Sequence, residues 1–103
     1  MDKIAALNEI LTADPTNAFA RYGLAMEHLG QGHTDAALAE FTTCLQHNPD
    51  YVPAYQMAAQ TLARANRSED AVHLLNQGLA AARRTGNTHA ASEMQALLED
   101  LTV

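Results

Sequence analysis

Two places in this sequence bring together side-chain types that can bind a metal ion. His28 and His33 lie five residues apart on either side of a glycine turn, and Cys44 and His47 lie three apart with Glu40 one turn earlier. Imidazole, thiolate and carboxylate groups are the ligands of zinc, and a closed structural site needs four of them. No second Cys or His pair stands at metal-site spacing, so we expect no metal site.

The neighbouring acids Glu69 and Asp70 are the residues closest to a catalytic pair. Adjacent side chains on a helix diverge by about 100°. This pair also stands at a predicted helix start, where acids favour the helix dipole. The sequence has no Gly-x-Ser-x-Gly, no His-Glu-x-x-His and no Gly-rich phosphate loop. We therefore predict that the protein is not an enzyme, has no catalytic residues and needs no cofactor.

Length and composition describe one small acidic domain spanning residues 1–103, in which 48% of residues are apolar. The net charge of −6 would be repelled by nucleic acid and by an anionic membrane surface, so we expect neither partner. A single cysteine excludes an internal disulfide and suits a reducing compartment. The start of the chain lacks a signal-peptide layout. We expect a cytoplasmic protein, either small and stand-alone or part of a longer repeat array.

Helical periodicity predicts six helices joined by short connections. The helix ends come from local signals: Pro15 and Pro49 end the first and third helices, and Gly30 and Gly32 end the second. Asn17 (or Thr16), Thr34 and Ser68 are the expected N-caps of the second, third and fifth helices. The predicted helices cover approximately residues 2–13, 17–29, 34–47, 52–65, 68–85 and 88–101.

A 34-residue period runs through these helices. Pro15 and Pro49 each close a polar turn, and apolar positions recur at the same interval. The recurring pairs are Ala20 with Ala54, Ala25 with Ala59, Ala37 with Ala71, Phe41 with Leu75, and Leu45 with Leu79. Gly32 recurs as Asn66. A fixed period of this length in a helical chain indicates a solenoid of stacked helix pairs.

On these residues the chain resembles the tetratricopeptide repeat (TPR) family. Residues 18–51 carry the family pattern at Leu24, Ala25, Ala37, Phe41, Cys44 and Pro49. Residues 52–85 carry it at Tyr55, Ala58, Ala59, Leu62, Ala71, Leu75 and Gly78. Three positions depart from the pattern. Arg21 replaces an aromatic residue, His28 replaces a tyrosine-like residue, and Arg83 replaces the closing proline, so the fifth helix is expected to run on.

The resemblance implies an all-α, right-handed helix-turn-helix solenoid of about six antiparallel helices. Two full repeats, 18–51 and 52–85, would be flanked by an N-terminal half-repeat helix and a C-terminal capping helix. In this family the first helices of the repeats line a concave face that binds peptides or partner helices. The chain is thus expected to be an adaptor with a mainly apolar protein or peptide partner. The positions carried across are Phe19, Tyr22, Met26, Gln56, Met57, Gln60, Arg64 and Met94.

Each of these positions also has a purely structural reading. Methionine suits an adaptable binding surface, but Met26, Met57 and Met94 at helical spacing can equally belong to the core. Gln56 and Gln60 can pair with a peptide main chain or form a solvated face, and Arg64 can meet a carboxylate or be an ordinary surface charge. Phe19 and Tyr22 can pack on the first helix instead of on a partner.

Two further expectations concern partners. Family members that bind acidic chaperone C-terminal tails use a clamp of Lys, Asn and Arg side chains. The matching positions here are Tyr22, Met26, Met57, Asn87 and Ala91, so we predict that such tails do not bind. The alternative function is structural self-association, in which the sixth helix forms a homodimer through Met94, Leu97, Leu98 and Leu101.

Overall fold

The computed structural model describes residues 2–103, and these residues form six α-helices and no strand. The helices are α1 (Lys3–Ala13), α2 (Ala18–Gly30), α3 (Thr34–His47), α4 (Val52–Arg64), α5 (Ser68–Thr85) and α6 (Thr88–Leu101). They form two compact units, one ending at Pro49 and one from Asp50 to Val103. No helix among the described residues is both long and apolar enough to cross a membrane. The predicted all-α class is confirmed.

In the first unit, α1 packs on α2 through aliphatic side chains. Leu11, Ala20 and Leu24 form a buried cluster, and Ile4 and Leu7 pack against its edge. A Cβ atom at Gly23 would lie 3.1 Å from Leu7 Cδ2, so the absent side chain lets the two helices approach closely. α1 is short and would not be stable alone in water, so this packing is what holds it in place.

The α2–α3 pair is centred on Phe41, whose side chain is 1% exposed. Its ring lies 5.9 Å from the Tyr22 ring in a tilted arrangement that aromatic pairs favour. Ala20, Ala25 and Ala37 are fully buried, because small side chains let the helix backbones come close. The repeated alanines of the sequence are therefore packing positions.

Two polar side chains, those of Asn48 and Arg21, close the open end of the α2–α3 pair. Asn48 Nδ2 donates to the Thr16 carbonyl at 3.0 Å, which ties the two proline turns together. Arg21, at the position where the family pattern has an aromatic residue, donates to Glu40 Oε2 at 3.2 Å and to the Pro15 carbonyl at 3.0 Å. A half-buried ion pair thus replaces aromatic packing at this end.

In the second unit, α5 packs on both α4 and α6, and Gly78 marks the tightest approach. A Cβ atom there would lie 2.7 Å from Tyr55 Cβ on α4 and 2.7 Å from Met94 Sδ on α6. Leu75, one turn earlier, is fully buried. Gly78 was expected as a small-residue position, and the structure shows that no side chain fits there.

The turns inside the helix pairs share one geometry. Gly32 and Asn66, 34 residues apart, both have positive φ angles, of 77° and 60°. After each of them the backbone N–H bonds five residues back, His33 to His28 and Arg67 to Leu62, both at 2.9 Å. This is the Schellman pattern, for which Gly or Asn is favoured. The pairing of Gly32 with Asn66 in the repeat therefore has a conformational cause.

The helix N-termini confirm some caps and correct others. The Asn17 side chain accepts from the Ala20 N–H at 2.8 Å, as predicted. Thr34 and Ser68 are wrong as caps because they are already the first helical residues. The capping positions are His33 and Arg67, and neither makes a side-chain cap bond. The Schellman turn brings the chain straight into the next helix, which leaves no extended residue for a Ser or Thr cap.

α5 runs 18 residues to Thr85 because no proline ends it. Arg83 stands where the earlier repeat has Pro49, and the helix continues to Gly86, whose φ of 71° closes it. The added turn places Arg84 opposite Asp50, which accepts from both Nε and Nη2 at 2.9 and 2.6 Å. The expectation that the fifth helix runs on is confirmed.

Candidate functional site

The first candidate surface lies on α2 in the first unit. Phe19, Tyr22 and Met26 are spaced three and four residues apart, which places them on one face of the helix. Phe19 is 72% exposed, while Tyr22 and Met26 are half-buried. The Tyr22 ring packs against Phe41 of α3, with the ring centroids 5.9 Å apart. We call these three residues the α2 surface.

The second candidate surface lies on α4 in the second unit. Gln56, Gln60 and Arg64 follow one another at intervals of four residues, and Met57 stands beside them. Gln56, Met57 and Gln60 are half-buried, and Arg64 is exposed with no carboxylate partner among residues 2–103. We call these four residues the α4 surface. It offers amide groups and a cation around one flexible apolar side chain.

Met94, the remaining predicted contact residue, lies in the core. Its side chain is 1% exposed and sits against Gly78, where the missing glycine side chain makes room for the Met94 sulfur. Of the two interpretations of Met94, a core residue or a binding residue, its burial agrees with the first. A partner could not contact this side chain without displacing α6. Met94 is therefore not part of either surface.

The structure also accounts for Asn87, the only clamp-like residue at the positions that grip chaperone tails. Asn87 is the N-cap of α6, and its Oδ1 accepts from the Ala90 N–H at 3.1 Å. Its side chain is committed to stabilising the helix start, which such caps do by about 1 kcal/mol. The sequence showed the residue type but not this use.

The residues that could bind a metal do not converge. The His28 and His33 rings lie 6.1 Å apart, with no third ligand beside them. Glu40 is paired with Arg21, and His47 is exposed. Among residues 2–103, no three His, Cys, Asp or Glu side chains are grouped as metal ligands.

Cys44 is a buried thiol on the α2-facing side of α3. Its Sγ donates to the Ala18 carbonyl at 3.6 Å, and burial raises the pKa of the Cys44 thiol, an effect that Arg21 partly opposes. The thiolate, which is the reactive form, is thereby disfavoured at neutral pH. Cys44 acts as a small apolar packing residue.

The neighbouring acids Glu69 and Asp70 are both exposed in the first turn of α5. Asp70 accepts two hydrogen bonds from the Arg67 guanidinium, at 3.1 and 2.9 Å. Carboxylates at this place interact favourably with the positive end of the helix dipole. Both carboxylates therefore lie at a helix start, where the sequence predicted them.

Comparisons with known proteins agree with this architecture. Residues 28–101 match the sequence model of the tetratricopeptide repeat. The TPR repeat-containing protein PA0015 of Pseudomonas aeruginosa is 28% identical over 98 residues, which cover 95% of this chain and 93% of that protein. The solution structure of a tetratricopeptide repeat domain protein from Salinibacter ruber superposes with a TM-score of 0.81 and 35% identity. It covers 86% of this chain and 90% of that one.

A more distant structure shares the fold alone. The TPR2B domain of yeast Sti1, determined as a complex with pHsp70, superposes with a TM-score of 0.87 at 18% identity. The alignment covers 96% of this chain and 79% of that one. Together with the Salinibacter ruber structure, it identifies the arrangement of helices as a helical solenoid.

Proposed function

This chain belongs to the tetratricopeptide repeat family, and from that premise we propose that it is a protein-interaction module that binds an extended peptide or a helix of a partner protein. Helical repeat proteins present the first helices of their repeats as binding surfaces. The TPR2B domain of yeast Sti1, which has the same fold, was determined as a complex with pHsp70. The observation that carries the proposal is the α2 surface, where Phe19 is 72% exposed next to the half-buried side chains of Tyr22 and Met26.

The chemistry of the two surfaces defines the partner class. Phe19 and Met26 offer apolar area, and a large aromatic residue exposed on a small domain is a typical binding anchor. Gln56 and Gln60 can donate to and accept from the main chain of a bound peptide, and Arg64 can meet a carboxylate. We therefore propose a mainly apolar segment as the ligand. We also propose that the chain is a cytoplasmic adaptor, not an enzyme, and binds neither nucleic acid nor membranes.

Substitutions on α2 test this proposal directly. Peptides selected from a display library against the wild-type protein are expected to carry apolar side chains. Their affinity, measured by fluorescence anisotropy, should fall at least about tenfold in Phe19→Ala and Met26→Glu, because each loses an anchor of the surface. Helicity should be unchanged in Phe19→Ala, since that side chain is mostly exposed.

The control is Gln46→Glu, an exposed position on α3 of the same unit that lies outside the α2 surface. It adds the same charge as Met26→Glu and should leave peptide affinity unaltered. If the selected peptides bind Phe19→Ala and Met26→Glu as tightly as the wild type, the α2 surface is not the binding site.

Acidic chaperone tails are expected not to bind, because the clamp positions hold no basic residue and Asn87 is used as a helix cap. Calorimetric titration with an acidic peptide that has a free C-terminal carboxylate should give a Kd weaker than about 100 µM. The same peptide with an amidated C-terminus serves as the control. Micromolar binding of the free acid, lost on amidation, would show that a carboxylate clamp exists after all.

Self-association through α6 is the alternative carried from the sequence. Leu97, Leu98 and Leu101 are half-buried, which leaves part of an apolar stripe accessible, whereas Glu93, Glu99 and Asp100 are exposed around it. The stripe supports an isologous dimer and the acids oppose one. The α6 homodimer therefore remains a prediction. The mixing experiment described in the next subsection distinguishes this dimer from a different mode of self-association.

A further inference from the structure

Two helix faces outside the surfaces described above are identified by the internal repeat. A shift of 34 residues places α1 on α3, and a further shift places it on α5, so α1 has the sequence position of a second helix. The same shift places α6 on α4 and α2, the first helices of their pairs. The residues through which the first and second helices of a pair contact each other therefore have equivalents in α1 and α6, found by the same shift of 34 residues.

On α3, the face toward α2 is formed by Ala37, Phe41 and Cys44, all fully buried. Phe41 packs on Tyr22, and the Cys44 thiol donates to the Ala18 carbonyl. The equivalent face of α1 is formed by Lys3, Leu7 and Ile10. The Lys3 side chain is 82% exposed and Ile10 is 43% exposed, whereas Leu7 between them is partly buried against α2. α1 therefore leaves the Lys3 and Ile10 parts of this face open to solvent, where α3 buries the equivalent residues.

On α4, Ala58, Thr61 and Leu62 are buried. Their equivalents on α6 are Ser92, Gln95 and Ala96, which are exposed or half-exposed. These residues line an open groove of about 400 Å³ between α5 and α6. The other residues lining the groove are Leu79, Arg83, Ala91 and Glu99. α6 therefore leaves open the face that its equivalent α4 buries.

We propose that α1 of one copy of this chain packs in the α5–α6 groove of a second copy, so that α6 and the incoming α1 form a helix pair like α2–α3. In this arrangement α1, a second-type helix, packs on α6, a first-type helix. The equivalent residues of α3 and α4 are buried in the same kind of contact within one molecule. The contact is heterologous, since the two copies use different surfaces.

Charge complementarity supports this occupant. Lys3 is equivalent to Ala71 in the first turn of α5, and the first turn of a second helix meets the last turn of the antiparallel first helix. Lys3 of one copy is thereby placed at the C-terminal end of α6, near Glu99 and Asp100. That last turn contains no basic residue of its own, and a cation there also interacts favourably with the helix dipole. The present contact of Lys3, with Glu27 at 3.6 Å, is long and exposed, so it is easily exchanged.

The test uses two variants that each block one face. Ile10→Glu places a charge on the α1 face, and Ala96→Lys places one in the groove, next to the position proposed for Lys3. Both positions are exposed, so both variants should keep wild-type helicity by circular dichroism. Ala39→Lys, an exposed alanine on α3, is the matched control.

Sedimentation velocity should show the wild-type and Ala39→Lys masses rising with concentration between about 10 µM and about 1 mM, the range of weak interfaces. Each blocked variant alone should stay monomeric. An equimolar mixture should form a 1:1 dimer and nothing larger, because only one intact face remains on each molecule. Lys3→Glu should weaken association about threefold, and adding Glu99→Lys should restore it.

Other outcomes overturn the proposal. A wild-type chain that is monomeric throughout this range shows that the two faces do not associate. Self-association that persists in Ile10→Glu shows that α1 is not involved, and an isologous α6 dimer then takes its place. A mixture of the two blocked variants that stays monomeric, although the wild type associates, shows that α1 and the groove do not meet.

Discussion

Gly78→Ala is expected to destabilise the protein by about 3 kcal/mol, in the range of an overpacked core. The added methyl group would lie 2.7 Å from Tyr55 Cβ and 2.7 Å from Met94 Sδ. The Met94 sulfur belongs to a flexible side chain and can rotate away, but Tyr55 Cβ is fixed to the α4 backbone. α4 and α5 would have to move apart, which loosens the packing around Leu75. Alanine's better helix propensity offsets only about 1 kcal/mol of this cost.

Urea denaturation followed by circular dichroism measures this effect. The matched control is Gly30→Ala, because a Cβ at the last residue of α2 would meet no atom within 4 Å. This control should be neutral or stabilising by up to about 1 kcal/mol. If the two glycine substitutions shift the urea midpoint of unfolding equally, α4 and α5 do not pack as closely at Gly78 as the structure shows.

Phe41→Ala is expected to cost about 4 kcal/mol, as deletion of a buried aromatic side chain does. The ring is 1% exposed and fills the space between α2 and α3, where it supports Tyr22 at 5.9 Å. Small domains are stable by only about 5–15 kcal/mol. The variant should therefore unfold at a much lower urea concentration, and peptide binding at the α2 surface should weaken with it.

The internal repeat supplies a conservative control for this position. Leu75 stands at the equivalent place on α5 and is itself fully buried. Phe41→Leu should therefore cost less than about 1.5 kcal/mol and keep most of the peptide affinity. Equal losses of stability in the alanine and leucine variants would mean that side-chain volume at this position does not hold the α2–α3 pair together.

Most of the fold could be predicted because its signals are local and repeated. Prolines exclude helical geometry for the preceding residue, so the ends of α1 and α3 were expected at Asp14 and Asn48. The absence of proline at Arg83 correctly predicted the longer α5. The caps at Thr34 and Ser68 were wrong because a Schellman turn and a capped start compete for the same residues. Only the backbone angles at Gly32 and Asn66 showed which had formed.

The candidate site was harder to predict, because the same residue types serve packing and binding. Met26 and Met94 stand at equivalent places of the 34-residue repeat, where α4 has Gln60, and Met57 lies three residues before Gln60; only their surroundings separate the three methionines. Met94 lies in the core because Gly78 leaves room for it, whereas Met26 and Met57 stay partly accessible. Arg21 appeared only as a departure from the family pattern. Its ion pair with Glu40, 19 residues away, could be seen only once α2 and α3 were packed.

By itself, the sequence determined the helices, their 34-residue repetition and hence the family, because helix ends and small packing positions depend on residues near each other in the chain. It also determined which residue types stand on each helix. Tertiary structure decided which of those residues remain available. Exposure depends on what a neighbouring helix contributes at the same point, so Phe19 lies open to solvent while Met94 and Asn87 are used within the fold.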